Sequence, residues 1–190
     1  IGKNLCSKIN KIILNERIYS RKFLLIYDSK VPAQMIKSIV SRFNKNKIEK
    51  KKIVFNEKSK NLKTVSSIVK ILEKNNFSRN DSLISVGGGI CGDVCGFASS
   101  IFKRGLNFIN VPTTLLSQVD SAIGGKTGIN SLSGKNMIGS FYQPSLVISD
   151  IDFLKSLPKR EMICGYAEIL KHSLIKLSLI HISEPTRRPI

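Results

Sequence analysis

Residues 81–97 read DSLISVGGGICGDVCGF. An apolar run of strand length ends in three consecutive glycines and resumes with helical spacing. Glycine permits the tight reversal that such a junction needs. A buried strand passing through a glycine turn straight into a helix is a building unit of α/β sheets, and it constrains the chain more than any other stretch.

The flanking sequence repeats the alternation. KFLLIYD, from Lys22 to Asp28, is a short apolar run read as a buried strand. VPAQMIKSIVSRF follows as a helix, with Pro32 suited to its first turn. KKIVF, from Lys51 to Phe55, reads as a second strand. NLKTVSSIVKILEKNNF carries apolar residues at 62, 65, 68, 69 and 72, a helical stripe. After the third strand and its helix (GDVCGFASSIF), NFINVP and SLVISD (Ser145 to Asp150) read as a fourth and a fifth strand. The order predicts a Rossmann-like α/β domain with a mostly parallel sheet and flanking helices. Pro158 and the charged turn after it open a further helix, PKREMICGYAEILKHSLI. The expected organisation is therefore an α/β domain over 1–157, the start of an all-helical second domain over 158–176, and a proline-broken tail over 177–190. That tail resembles read-through rather than native chain.

Two glycine-rich segments carry candidate chemistry. Gly87-x-Gly89-x-x-Gly92 has dinucleotide-fingerprint spacing between a strand and a helix. It departs from the usual layout: it follows the third strand, Asp93 comes directly after it, and no acid sits at a strand end about 20 residues on. A tight structural turn is the competing reading. The second segment, AIGGKTGIN (Ala122 to Asn130), looks like a triphosphate loop. That motif needs a glycine five residues before its Gly-Lys pair, and Asp120 stands there instead. TGINSLSG after the lysine reads as a loop rather than a helix.

Over the blocks GGGICGDVCGFASSIFKRG, FINVPTTLLSQVDSAIGGKTGIN, GKNMIGSFYQP and DFLKSLPKREMICGYAEILKH, the sequence resembles the 3-dehydroquinate synthase family of sugar phosphate cyclases. The resemblance runs from near residue 1 to about Ile175. It implies an NAD-dependent, zinc- or cobalt-dependent lyase that converts 3-deoxy-D-arabino-heptulosonate 7-phosphate to 3-dehydroquinate and phosphate. By the same resemblance, Asp28, Glu57, Lys60, Gly89, Ile90, Cys91, Gly92, Asp93, Thr113, Thr114, Phe153, Leu154, Lys155 and Ser156 surround NAD. Strand-end capping is the plainer reading of Asp28 and the threonines. Asp120, Lys126, Lys135, Asn136 and Lys171 match the reaction centre, with Lys126 and Lys135 also reaching the cofactor. Lysines suit a substrate carrying both a carboxylate and a phosphate. Arg104 resembles a residue that reaches the phosphate from the neighbouring subunit of a homodimer.

Glu168 matches the family's metal-ligating carboxylate. The family draws two further histidines from farther downstream. Glu168 and His172 stand at i and i+4, a spacing that also reads as a metal pair, but the family does not use that second position. Two departures stand out: Asn56 replaces a glycine of the Gly-Glu-x-x-Lys block, and Ser131-Leu132 replace a His-Pro pair. The chain alone is expected to be inactive.

The net charge of +18 admits a nucleic-acid-binding module. The basic residues are not interleaved with aromatics, however, so a solvated lysine-rich surface is the favoured reading. Cys6, Cys91, Cys95 and Cys164 are scattered and read as reduced thiols of a cytoplasmic protein. Cys91-x3-Cys95 lacks the second pair a zinc knuckle requires. No apolar run is long enough for a membrane span. A related cyclase making deoxy-inosose or valiolone rings is the closest alternative.

Overall fold

The computed structural model describes residues 1–183, with side chains described through 175. Five parallel strands form the sheet: β1 (Phe23–Asp28), β2 (Ile48–Ile53), β3 (Ser82–Gly87), β4 (Asn107–Pro112) and a short β7 (Leu146–Val147). Their order is β2-β1-β3-β4-β7. The chain steps outward from β1 to β2, then returns to the far side of β1 for β3. This reversal makes the carboxyl ends of β1 and β3 a topological switch point, where open α/β sheets leave a crevice.

Both faces of the sheet are covered, so β1 and β3 are buried along nearly their whole length rather than alternating, with Ser82 and Ser85 the polar exceptions in β3. Leu24, Ile26, Leu83 and Phe108 pack one face against α3 (Leu62–Lys74) and α4 (Gly89–Ile101). Phe23, Leu25, Ile84, Val86 and Ile109 pack the other against α1 (Ile9–Asn15) and α2 (Ala33–Val40). Helix α3 begins at a sequence-encoded cap, the Asn61 side chain accepting from Thr64 N–H at 2.9 Å. No helix among the described residues is long and apolar enough to cross a membrane. All four cysteines are free thiols, three of them buried.

Several expectations need correction. The second strand runs over 48–53 rather than 51–55, in register with β1 from Phe23↔Ile48 to Asp28↔Ile53. It is an edge strand whose Lys50, Lys51 and Lys52 are exposed, so its apolar pattern is masked by charge. Pro32 caps α2 from just outside instead of entering its first turn. The fifth strand shrinks to two residues because Ser149 and Asp150 engage the amino terminus. Gly2 N–H donates to the Ser149 carbonyl at 3.1 Å, and Asp150 accepts from Cys6 N–H at 2.9 Å. The segment read as a loop after Lys126 contains an antiparallel hairpin, β5 (Lys126–Ile129) and β6 (Ile138–Phe141). Finally, α5 (Lys159–Ser183) continues through 177–183, where the sequence suggested a broken tail. The rest of that tail, 184–190, lies outside the described residues.

Candidate active site

Two cavities open at the carboxyl edge of the sheet. The first, of about 570 Å³, lies at the switch point. Asp28 ends β1, Gly89 and Ile90 start α4, Thr113 and Thr114 follow β4, and Phe153 and Ser156 close the far side. No side chain caps α4, whose N-cap is Gly88. Its first-turn N–H groups and positive dipole end are therefore available to an anion in the cavity. A pyrophosphate fits that donor set.

The sequence-expected cofactor residues divide at this point. Asp28, Gly89, Ile90, Cys91, Thr113, Thr114, Phe153 and Ser156 line the first cavity. Asp28 also caps its own turn, accepting from Lys30 N–H at 3.1 Å. Thr114 likewise caps the turn below it, its Oγ1 accepting from Ser117 N–H at 3.2 Å. Turn capping, the plainer reading of these two residues, is thus observed, and both also line the cavity. Lys155 turns away to pair with Asp152 at 2.7 Å and is largely exposed, while Leu154 and Gly92 are not among the lining residues. Sequence reasoning missed Phe55, which leaves β2 to form a wall, and Glu161 at the start of α5.

The second cavity, of about 700 Å³, is more polar. Asp93, Asp120, Lys126 and Asn136 line it, between α4, the hairpin and a π-turn over Ser117–Ser121. Gly124 and Gly125, with φ of 98° and 66°, bend the chain from that turn into β5. Lys126 thus comes to the rim of a cavity rather than to a helix start.

One buried lysine ties α4 to the hairpin loop at the second cavity. Lys60 Nζ donates to Asp93 Oδ2 and to Asn136 Oδ1, both at 2.5 Å. Asn136, in left-handed backbone, donates its N–H to Asn130 Oδ1 at 2.9 Å. Asn130 Nδ2 in turn donates to Glu57 Oε1 at 2.8 Å, and that bond holds the Glu57 carboxyl below its usual range. Burial pushes the Asp93 carboxyl up, against the pull of Lys60. Lys135 stands outside both cavities, mostly exposed, 3.6 Å from Glu57. Arg104 is on the surface beside Arg79 and Tyr142, away from both cavities.

Helix α5 meets the π-turn beside the second cavity. Lys171 pairs with Glu168, and that hydrogen bond lowers the Glu168 carboxyl and raises the Lys171 ammonium. Glu168 Oε1 is sealed from solvent and stands against Lys171 Nζ and, at 3.2 Å, His172 Nε2. A carboxylate is a natural donor for a divalent cation, which Glu168 would hold in exchange for Lys171.

An open, doubly wound α/β sheet with paired cavities at its carboxyl edge is the architecture of nucleotide-dependent enzymes of small anionic substrates. Solved structures of similar architecture narrow that class. 2-Deoxy-scyllo-inosose synthase, complexed with carbaglucose-6-phosphate, NAD+ and Co2+, superposes with a TM-score of 0.82 at 30% identity, covering 90% of this chain and 46% of that one. The 2-epi-5-epi-valiolone synthase of Streptomyces hygroscopicus subsp. jinggangensis 5008, with NAD+ and Zn2+ bound, gives 0.77 at 28% identity, covering 90% and 48%. In sequence, the 3-dehydroquinate synthase of Pelagibacter ubique (strain HTCC1062) is 58% identical over 175 residues, 92% of this chain and 48% of the relative.

Residues 34–164 match the family described as 3-dehydroquinate synthase N-terminal, and the chain belongs to that family. It spans about half the length of the curated relatives it matches.

Proposed function

We propose that this chain is the NAD-binding domain and leading metal-site helix of a 3-dehydroquinate synthase, acting on 3-deoxy-D-arabino-heptulosonate 7-phosphate. The observation that carries the reading is the pair of cavities at the carboxyl edge, the first at the uncapped amino terminus of α4, in a chain 58% identical to a 3-dehydroquinate synthase. The first cavity takes NAD: the pyrophosphate at the α4 amino terminus, the adenosine side toward Asp28 and the Glu57–Lys60 turn. The second takes the substrate.

When bound, NAD supplies reversible removal of hydride at the substrate C5 position, and zinc or cobalt at Glu168 polarises the oxygen there. This chain's own residues hold the reactants. Lys126 and Asn136 orient the carboxylate and hydroxyls, and Asp120 accepts from a hydroxyl facing the π-turn. Lys60 keeps the Asn136 amide in place beside Asp93. Lys135 and Lys171, both exposed, add positive charge around a doubly anionic ligand. Arg104 serves the neighbouring copy of a homodimer, and the protein works in the cytoplasm without nucleic acid or membrane partners. The 190-residue chain alone does not turn over.

The test pairs calorimetric titration of the purified chain with NAD and a phosphate-release assay. The chain binds NAD and releases no phosphate from the seven-carbon substrate. Release at a rate near that of a whole family enzyme overturns the inactivity, and failure of a folded chain to bind NAD overturns the cofactor site. A whole protein that prefers glucose 6-phosphate or sedoheptulose 7-phosphate is a different cyclase.

A further inference from the structure

The two cavities share a wall, the helical segment that ends in the π-turn. Thr114 and Leu116 line the first cavity, and Asp120 and Ser121 line the second. Ser121 also stands over the start of α4: a Cβ at Gly89 would meet its Oγ at 2.8 Å. Within the turn, Ala122 N–H donates to the Ser117 carbonyl at 3.0 Å, five residues back. Turns of that width are rare and concentrate at functional sites. This one runs on into the Gly124–Gly125 bend rather than into more helix, so its position rests on what anchors it.

Gln118 is that anchor. It is 7% exposed, and its amide nitrogen donates to two backbone carbonyls, Pro112 O and Asp150 O, each at 3.1 Å. One neutral amide nitrogen carries the two protons this requires. Both acceptors belong to the frame of the first cavity. Pro112 ends β4 and precedes Thr113, and the Asp150 carbonyl also accepts from Phe153 N–H at 3.3 Å. Thr113 and Phe153 line that cavity. The Asp150 carboxylate secures the same segment, accepting from Cys6 N–H at 2.9 Å and Asp152 N–H at 3.1 Å. Buried carbonyls that lose a donor cost stability, so the amide fixes the turn relative to both strand ends.

We propose that Gln118 is a positioning residue that joins the two cavities: through its amide, occupancy of the first sets the placement of Asp120 and Ser121 at the second. The proposal rests on the functional reading above for the identity of the ligands, while the joint itself is read from the hydrogen bonds. Coupling of this kind is reciprocal, so order in the turn also bears on NAD affinity.

The experiment follows backbone hydrogen exchange of the 190-residue chain by NMR, without and with NAD. Gln118→Met keeps nearly the same volume and removes both donors. In the ligand-free variant, exchange at Ala122 and at Phe153 speeds up together, by about tenfold. Leu83 and Ile84, fully buried in β3, stay within about twofold of the parent. Gln118→Glu, which sets a carboxylate oxygen against the two carbonyls, speeds both sites further. In the parent, saturating NAD slows exchange at Ala122, which lies outside the first cavity. Gln118→Met removes that slowing and weakens NAD binding about fivefold. A response at Ala122 alone, with Phe153 unchanged, overturns the joint. So does bound NAD that leaves Ala122 unchanged in the parent, or that slows it equally in Gln118→Met. Equal acceleration at Leu83 and Ile84 makes Gln118 part of the general core and overturns its positioning role. A folded parent chain that binds no NAD overturns the cofactor reading instead, and the ligand-free comparison still decides the joint.

Discussion

The two cavities at the carboxyl edge are built from different materials. The first rests on strand ends and the start of α4, all fixed by a core with fully buried Leu24, Leu83 and Val86. The second rests on a hairpin, a π-turn and one contact with α5, and its surroundings leave Ile123, Phe141 and Tyr166 exposed. Sheet ends are positioned by the whole domain, whereas loops and a single crossing helix are positioned by a few contacts each. The first region is thus expected to tolerate change that dismantles the second, and single substitutions separate the two.

Lys60 is the exception within the second region, a buried cation among groups held by loops. Lys60→Met leaves the partly buried Asp93 carboxylate and the Asn136 amide without their shared donor. Loss of one partner of such a pair costs about 2–3 kcal/mol. The expected result is a drop of that size in urea-unfolding stability, together with weaker NAD binding and a loosened hairpin. A stability within error of the parent would mean that the Lys60 contacts do not hold α4 and the hairpin loop together.

Gly165→Val separates the regions. Its side chain collides with Leu115 and with the Leu116 backbone, a contact that a flexible side chain cannot relieve alone. Overpacking of this kind costs about 2 kcal/mol. Here the cost falls on the docking of α5, whose other neighbours are few. Hydrogen exchange along the first turns of α5 speeds up at least about tenfold, while NAD titration is unchanged. Equal damage to both measurements would show that α5 supports the whole carboxyl edge.

The same contrast governs what the sequence made legible. Strands β1, β3 and β4 are read directly because burial on both faces leaves short, mostly apolar runs bounded by turn residues, and α3 because its stripe faces one core. Helix α1 went unread, although Ile9 and Ile13 stand four apart and are fully buried. The edge strand β2 was displaced by its lysines, and the hairpin was hidden by a sequence of glycines, serines and asparagines. His172 was visible as an i+4 partner of Glu168. Asp120, with a carboxylate oxygen within 4.8 Å of both, is far away in sequence, and only the packing at Gly165 brings it near. Local periodicity reports the first region, while the second depends on contacts between distant segments.

The finest comparison concerns two carboxylates at opposite edges of the sheet. Asp81, at the amino edge, is almost fully buried. Burial raises its carboxyl, but the Ser78 backbone and hydroxyl and the Lys22 N–H donate to it, and the net effect is a lowered value. A folded-state value below the unfolded one gives stability that is present above the unfolded value and lost as pH falls through the folded one. Asp93 shifts the other way, burial first, with Asp120 and Glu57 adding to it and Lys60 opposing. Its contribution is greatest below the unfolded value and declines as pH rises through the folded one. Urea unfolding between about pH 3 and 7 reads both slopes. Asp81→Asn lowers stability near neutrality by about 1 kcal/mol and flattens the acid limb. Asp93→Asn removes a falling contribution, so stability rises more steeply with pH above the acid limb than in the parent. If both variants shift the profile in the same direction, the two edges do not differ in how they hold charge. The carboxyl edge would then be as fully satisfied as the amino edge, with no carboxylate held in reserve for a ligand.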